Sequence, residues 1–206
     1  MSTSHTRYIV RCTLSLLLFP LLSLPVLAQW VPLIAKTHED RTVVKQGMPT
    51  QHEVVEGVIY RASNGSQLEQ TKVFRDGKLI EDRGVLSNTQ TMHAYSIDYT
   101  TKVVHEMRVP VGLHEPTRGG TATQQDIVNG LKCRVLPVVM DGEVLGKSWM
   151  SNQYDLQIKS DYTVHAGGYT THIQGYAYDI QGNHEPNKNV FVLDPSFRVI
   201  PNPNSH

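Results

Sequence analysis

Short runs in which apolar and polar residues alternate, broken at intervals by Asn-Gly, Asp-Gly and Gly-Gly dipeptides, cover most of this chain. Asn64-Gly65, Asp76-Gly77, Asn129-Gly130, Asp141-Gly142 and Gly167-Gly168 each supply the positive φ angles that tight hairpin turns need. The runs between them, such as residues 133–139 and 156–164, are rich in β-branched and aromatic residues and are short enough to be strands rather than helices. Beyond the first 28 residues no helical period is sustained and no internal repeat occurs. The pattern predicts an all-β chain of consecutive antiparallel hairpins, about eight to eleven strands in all.

The turns also predict registers. A two-residue loop at Asn64-Gly65 places Val55, Ile59, Leu68 and Phe74 on one face and Glu56, Tyr60, Glu69 and Thr71 on a wetter one, and Asp76-Gly77 adds Leu79 opposite Phe74. Residues 78–81 then form a strand, 84–89 a loop, and 91–98 and 102–109 a further pair. Pro110, Pro116 and Gly119-Gly120 make a long connection. The Asp141-Gly142 turn sets Val139 opposite Val144 and Val138 opposite Leu145, apolar on both faces, which predicts cover from other chain such as residues 112–120. The Asn129-Gly130 hairpin has two registers open to it, one with Asp126 across from Cys133 and one shifted by a residue. The chain closes with strand-like runs at 169–179, 189–193 and 197–200 around a polar turn at 181–188.

Residues 1–28 carry Arg7 and Arg11 ahead of an apolar run that ends in Val26-Leu27-Ala28, the form of an export signal cleaved after Ala28. Pro20 and Pro25 interrupt a run already shorter than the roughly 20 apolar residues of a membrane span. Residues 29–48 read as an extended lead-in with a short strand at Val43-Val44, 49–200 as a single β domain and 201–206 as a disordered tail. Cleavage removes two arginines and no acidic residue, so the mature formal charge is −2. No basic run or stripe is present, so nucleic-acid binding lacks its electrostatic footprint. Cys133 is the one cysteine after residue 28, which excludes an internal disulfide and leaves stability to the core.

Several positions carry a family likeness. Tyr60-Arg61 with Asn64-Gly65 and Glu69, the run from Ile97 to Lys102, the Asn129-Gly130 to Cys133 hairpin, Trp149 with Ser151 and Leu156, and Glu185-Pro186 through Phe191 to Pro195 together resemble uncharacterised secreted bacterial proteins. Those are similar to the LolA-like superfamily of periplasmic lipoprotein carriers, and the resemblance spans 47–200. It implies a strongly curved antiparallel sheet, an unclosed half-barrel whose concave side is lined with apolar side chains and holds acyl chains without covalent chemistry. The matched positions are turn and core residues, so they speak to fold more than to function.

The residues that bear chemistry read mostly as structural. His38, His52, His105, His114 and His184 each precede a glutamate, but none completes His-Glu-x-x-His. Strand alternation turns Lys132 and Arg134 away from Cys133 and predicts a buried, inert thiol. Ser148 and Ser151 miss the Gly-x-Ser-x-Gly elbow. One constellation stands out: a two-residue turn at Gly167-Gly168 puts His165 across from Thr170, Thr163 across from His172 and Asp161 across from Gln174 on one face. Two histidines and a carboxylate can hold zinc or iron, yet the face is also polar enough to be plain solvent surface, so no metal, cofactor or catalytic residue is assigned. The expectation is a non-enzymatic exported protein that binds lipid or another hydrophobic ligand. The alternative is an interaction module whose core fills itself.

Overall fold

The structure, a computed structural model, describes residues 30–107, 122 and 124–202, and the hairpin turns govern most of what is seen there. Asp76-Gly77, Asn129-Gly130, Asp141-Gly142 and Gly167-Gly168 all hold two successive residues at positive φ, between 51° and 83°. That is the turn whose twist matches the strands it joins. The strands are β1 (Leu33–Lys45), β2 (Gln51–Arg61), β3 (Gln67–Arg75), β4 (Lys78–Asn88), β5 (His93–Asp98), β6 (Val103–Met107), β7 (Gln124–Val128), β8 (Leu131–Met140), β9 (Glu143–Ser151), β10 (Gln157–Ala166), β11 (Tyr169–Gly182) and β12 (Arg198–Ile200). The residues expected as strand at 189–193 instead begin within a short 3₁₀ turn, Lys188–Phe191, because the Asn187 side chain accepts from the Asn189 amide and caps it. The chain is all-β, and no other helix occurs among the described residues.

One unclosed sheet contains every strand among the described residues, in the order β12-β6-β5-β4-β3-β2-β1-β11-β10-β9-β8-β7. Two meanders, β2 to β6 and β7 to β11, lie on either side of β1, and β12 adds to β6 as the parallel pair. Residues 33–45, within the segment expected as a lead-in, are thus the central strand. β1 pairs with β2 and β11 along almost its whole length. The strand is hard to see because Lys36, His38, Glu39, Asp40 and Arg41 fill its middle. Those side chains pair across the sheet or along the strand instead of breaking it.

Three registers follow their turns and two do not. Asp126 pairs with Cys133, Phe74 with Leu79, and His165, Thr163 and Asp161 with Thr170, His172 and Gln174. Val139 pairs with Val144, but an irregularity follows and Val138 meets Gly146 rather than Leu145. Val139 and Val144 are both exposed, and the cover expected from residues 112–120 lies outside the described residues. The larger correction is at Asn64-Gly65. Asn64 keeps a negative φ, its Oδ1 accepts from the Ser66 amide at 2.9 Å, and an Ala62 to Ser66 bond of 2.9 Å closes a longer loop over residues 62–66. Arg61 pairs with Gln67, Tyr60 with Leu68 and Ile59 with Glu69. A one-residue slip sends every side chain of β3 to the other face. Leu68 and Phe74 leave the face of Val55 and Ile59, and Glu69 and Thr71 join it. Residues 84–88, expected as loop, extend β4.

The core is divided between the two faces. Leu68, Leu86, Ile97 and Val104 form one cluster with Ala62 and Phe191, flanked by Tyr60, Tyr95, Tyr99, Val190, Leu193 and Phe197. The C-terminal segment therefore covers the back of β3 to β6, and Asn88 Nδ2 donates to the Phe191 carbonyl at 3.3 Å. Leu33, Ala35, Leu156, Ile158, Ala177 and Cys133 form the second cluster, with Ile59 and Tyr154 packed against it.

Candidate functional site

The register places Thr37, Glu39 and Arg41 of β1, Val55, Ile59 and Arg61 of β2, Gln67, Glu69 and Thr71 of β3, and Gly175 of β11 on one face. These residues line a cavity of about 530 Å³, and the β9–β10 connection, through Asp155 and Leu156, closes one side with Trp30. A sheet that encloses volume on one face is bent toward that face. Glycine permits the bend: a Cβ on Gly57 would lie 2.2 Å from Thr37 Oγ1, and one on Gly175 would lie 2.8 Å from Ser160 Oγ. Both are distances that only a missing side chain allows.

This concave face is mixed in character. Arg41 Nε donates to Glu39 Oε1 within β1, and Arg75 bonds Glu53 Oε1 at 2.6 Å near the start of β2. Burial, with the field of Glu39 added, pushes the Tyr162 phenol above its ordinary value. Val55, Ile59, Leu156 and Trp30 are the apolar contributions to the larger cavity. The face implied by the family resemblance, lined with apolar side chains, is here half polar, and the slip at residues 62–66 that brings in Glu69 and Thr71 is one cause.

A second cavity, of about 220 Å³, adjoins the first and shares Trp30, Arg61 and Gln67 with it. Its remaining wall includes Val85, Ala94, Met92 and Met107, so it is the more apolar of the two. Arg61 forms part of the wall between them and is 5% exposed. Its Nε donates to the Val31 carbonyl at 3.1 Å, Nη2 donates to the Tyr154 carbonyl, and its guanidinium lies 5.4 Å from the centre of the Trp30 ring. Burial lowers its pKa, with the charge of Asp155 opposing. Sequence reading missed this residue. The available signal was an arginine alternating with Val55 and Ile59 on the apolar side of β2.

The histidine constellation lies on the opposite, outer face. His172 Nε2 is 3.8 Å from Asp161 Oδ1, while its Nδ1 is 3.1 Å from Thr163 Oγ1 and His165 Nδ1 is 3.0 Å from Thr170 Oγ1. Each ring thus spends one nitrogen on the threonine directly across the hairpin. Among the described residues no group of three or more His, Cys, Asp or Glu side chains is placed to share a metal ion. Cys133 is fully buried, its Sγ–H points to the Leu131 carbonyl at 3.5 Å, and burial raises its pKa. Trp149 spans core and rim, donating Nε1–H to Asp126 at 2.9 Å beneath the ammonium of Lys159. His114 lies outside the described residues.

No protein-family model matches the chain, and no curated protein matches it. Solved structures similar to it include an uncharacterised conserved protein from Thermus thermophilus, at 7% identity and TM-score 0.49 over 81% of this chain and 90% of that one. They also include a LolA superfamily protein from Nitrosomonas europaea, at 6% identity and TM-score 0.33 over 80% and 90%. A putative outer membrane lipoprotein-sorting protein domain from Vibrio parahaemolyticus aligns at 10% identity and TM-score 0.26 over 79% and 89%. The structural neighbours thus include the superfamily that the sequence resembles. At these scores they add no argument to the architecture, which rests on strand order and register.

Proposed function

We propose that this chain is an exported, non-enzymatic binding protein that holds a lipid-like, amphiphilic molecule on the concave face of its sheet. One observation carries the reading: two adjoining cavities of about 530 and 220 Å³ lie on that face with a shared wall, one mixed and one largely apolar. Ligand sites are typically concave, of roughly 300–1,000 Å³, and lined by apolar groups with a few placed polar ones. The half-polar lining favours an amphiphile over a wholly apolar chain. The competing reading, a self-filled interaction module, accounts for the back face, which the chain's own C-terminal segment covers. It also accounts for the part of the concave face that the second core cluster fills, but not for the two cavities beside it among the described residues.

Export after cleavage near Ala28 puts the mature protein in the periplasm or beyond it. No helix among the described residues is long and apolar enough to cross a membrane. Native mass spectrometry of mature protein purified without detergent, followed by titration with a fluorescent fatty acid, tests the binding reading. Co-purified lipid or saturable uptake is expected. A clean apo mass with no uptake would favour the module.

A further inference from the structure

Among the described residues Arg61 is the one buried charged side chain, and none of those residues answers its charge with an ion pair. A buried guanidinium is expensive to desolvate unless paired. The partners it has are the neutral Val31 and Tyr154 carbonyls and the face of Trp30. No carboxylate among the described residues forms an ion pair with it. Asp155, whose charge it feels, is engaged by Arg134. A guanidinium has five N–H donors in a planar fork, and two of them account for these carbonyl bonds.

Position adds a second argument. Arg61 lines both cavities. On its apolar side Val85 and Met92 are exposed, and with Met107 and the buried Ala94 they line the cavity that a hydrocarbon chain would occupy. We infer that Arg61 anchors the acidic head group of a single-chain anionic amphiphile whose hydrocarbon chain lies over Val85, Met92, Ala94 and Met107. The inference rests on the amphiphile reading above and adds to it the sign and place of the head group. A carboxylate or phosphate matches the guanidinium fork and supplies the missing charge. At about 220 Å³ the apolar compartment falls below the usual range for drug-sized ligands, roughly 300 Å³ upward, so the chain it takes is short.

The test is isothermal titration of the mature protein with octanoate, octyl phosphate and octanol. One acidic ligand should bind roughly tenfold or more tightly than octanol, the gain expected of a hydrogen bond to a charged group. Whichever acid wins identifies the head group. Arg61→Gln should bring all three ligands to equal affinity, and Arg61→Lys should keep part of the preference. Circular dichroism confirms that each variant is folded, and the comparison within the parent protein stands even if Arg61→Gln is not. Equal binding of octanol and both acids by the parent, or a preference that survives in folded Arg61→Gln, overturns the Arg61 assignment alone. Binding of none of the three overturns the amphiphile reading, and this assignment with it.

Discussion

His38 shows how much a single side chain on this sheet depends on its neighbours across strands. Its Nδ1 is 2.9 Å from Glu56 Oε1, its Nε2 3.3 Å from Asp40 Oδ2, and its ring 5.1 Å from that of Tyr176. Tyr178 donates to the other Glu56 oxygen at 3.4 Å. Burial alone would lower the imidazole pKa, but the hydrogen bond to Glu56 and the charges of Asp40 and Glu56 outweigh it and raise the pKa above 6.5. A pKa raised in the folded state stabilises the fold below the unfolded value, and that stability is lost as pH rises through the folded value. His38→Gln should therefore destabilise the protein more at about pH 5.5 than at about pH 8.5, read from denaturant midpoints. An NMR titration placing His38 below 6.5 would overturn the argument. Burial of Cys133 was legible in its strand because alternation is local. The role of Arg61 was not, because the carbonyls it binds belong to residues far away in sequence.

At the scale of elements, β1 holds the sheet together. Among the described residues it is the strand that pairs with both meanders, with β2 on one side and β11 on the other, so its backbone serves two ladders at once. Proline lacks the amide donor and is confined to edges and bulges in sheets. Thr42, which pairs with both His172 and His52, should not accept it. Thr42→Pro is expected to abolish a single cooperative thermal transition. Gln125→Pro in β7, an edge strand among the described residues, should retain one, since an edge can turn the ring and the missing donor toward solvent while a strand flanked on both sides cannot. Similar melting curves for the two variants would remove β1 from this role. The hairpins were readable because two residues with positive φ set both the turn and the register. Asn64-Gly65 has the same composition, but the Asn64 side chain bonds the Ser66 amide and a longer loop results.

For the whole molecule, the two faces divide the labour. Phe191 is buried on the back of β3 to β6, while the adjoining cavities open on the front. Phe191→Ala should cost about 3–5 kcal/mol, a fall of roughly 10 °C in melting temperature for a chain of this size. At temperatures where the variant is still folded, binding on the concave face should be unchanged. A variant that melts like the parent would show that the C-terminal segment is not part of the core. Loss of ligand uptake by folded Phe191→Ala would show that the faces are coupled.

The sequence by itself determined the class of structure, the positions of the dipeptide turns and the partners stated for two of the hairpins, at Asp76-Gly77 and Gly167-Gly168, because these depend on dihedral preferences and alternation over a few residues. It also carried enough of the pattern of turns and core residues for the LolA-like resemblance. Tertiary structure alone decided that residues 33–45 are the central strand, since their charged middle finds partners only when β2 and β11 arrive on either side. It alone decided which face of β3 is concave, because one residue more or less in the 62–66 loop exchanges Leu68 for Glu69. The place of Arg61 follows from both decisions: Val31 just ahead of β1 and Tyr154 in the β9–β10 connection meet over the end of β2, and no local pattern encodes that meeting.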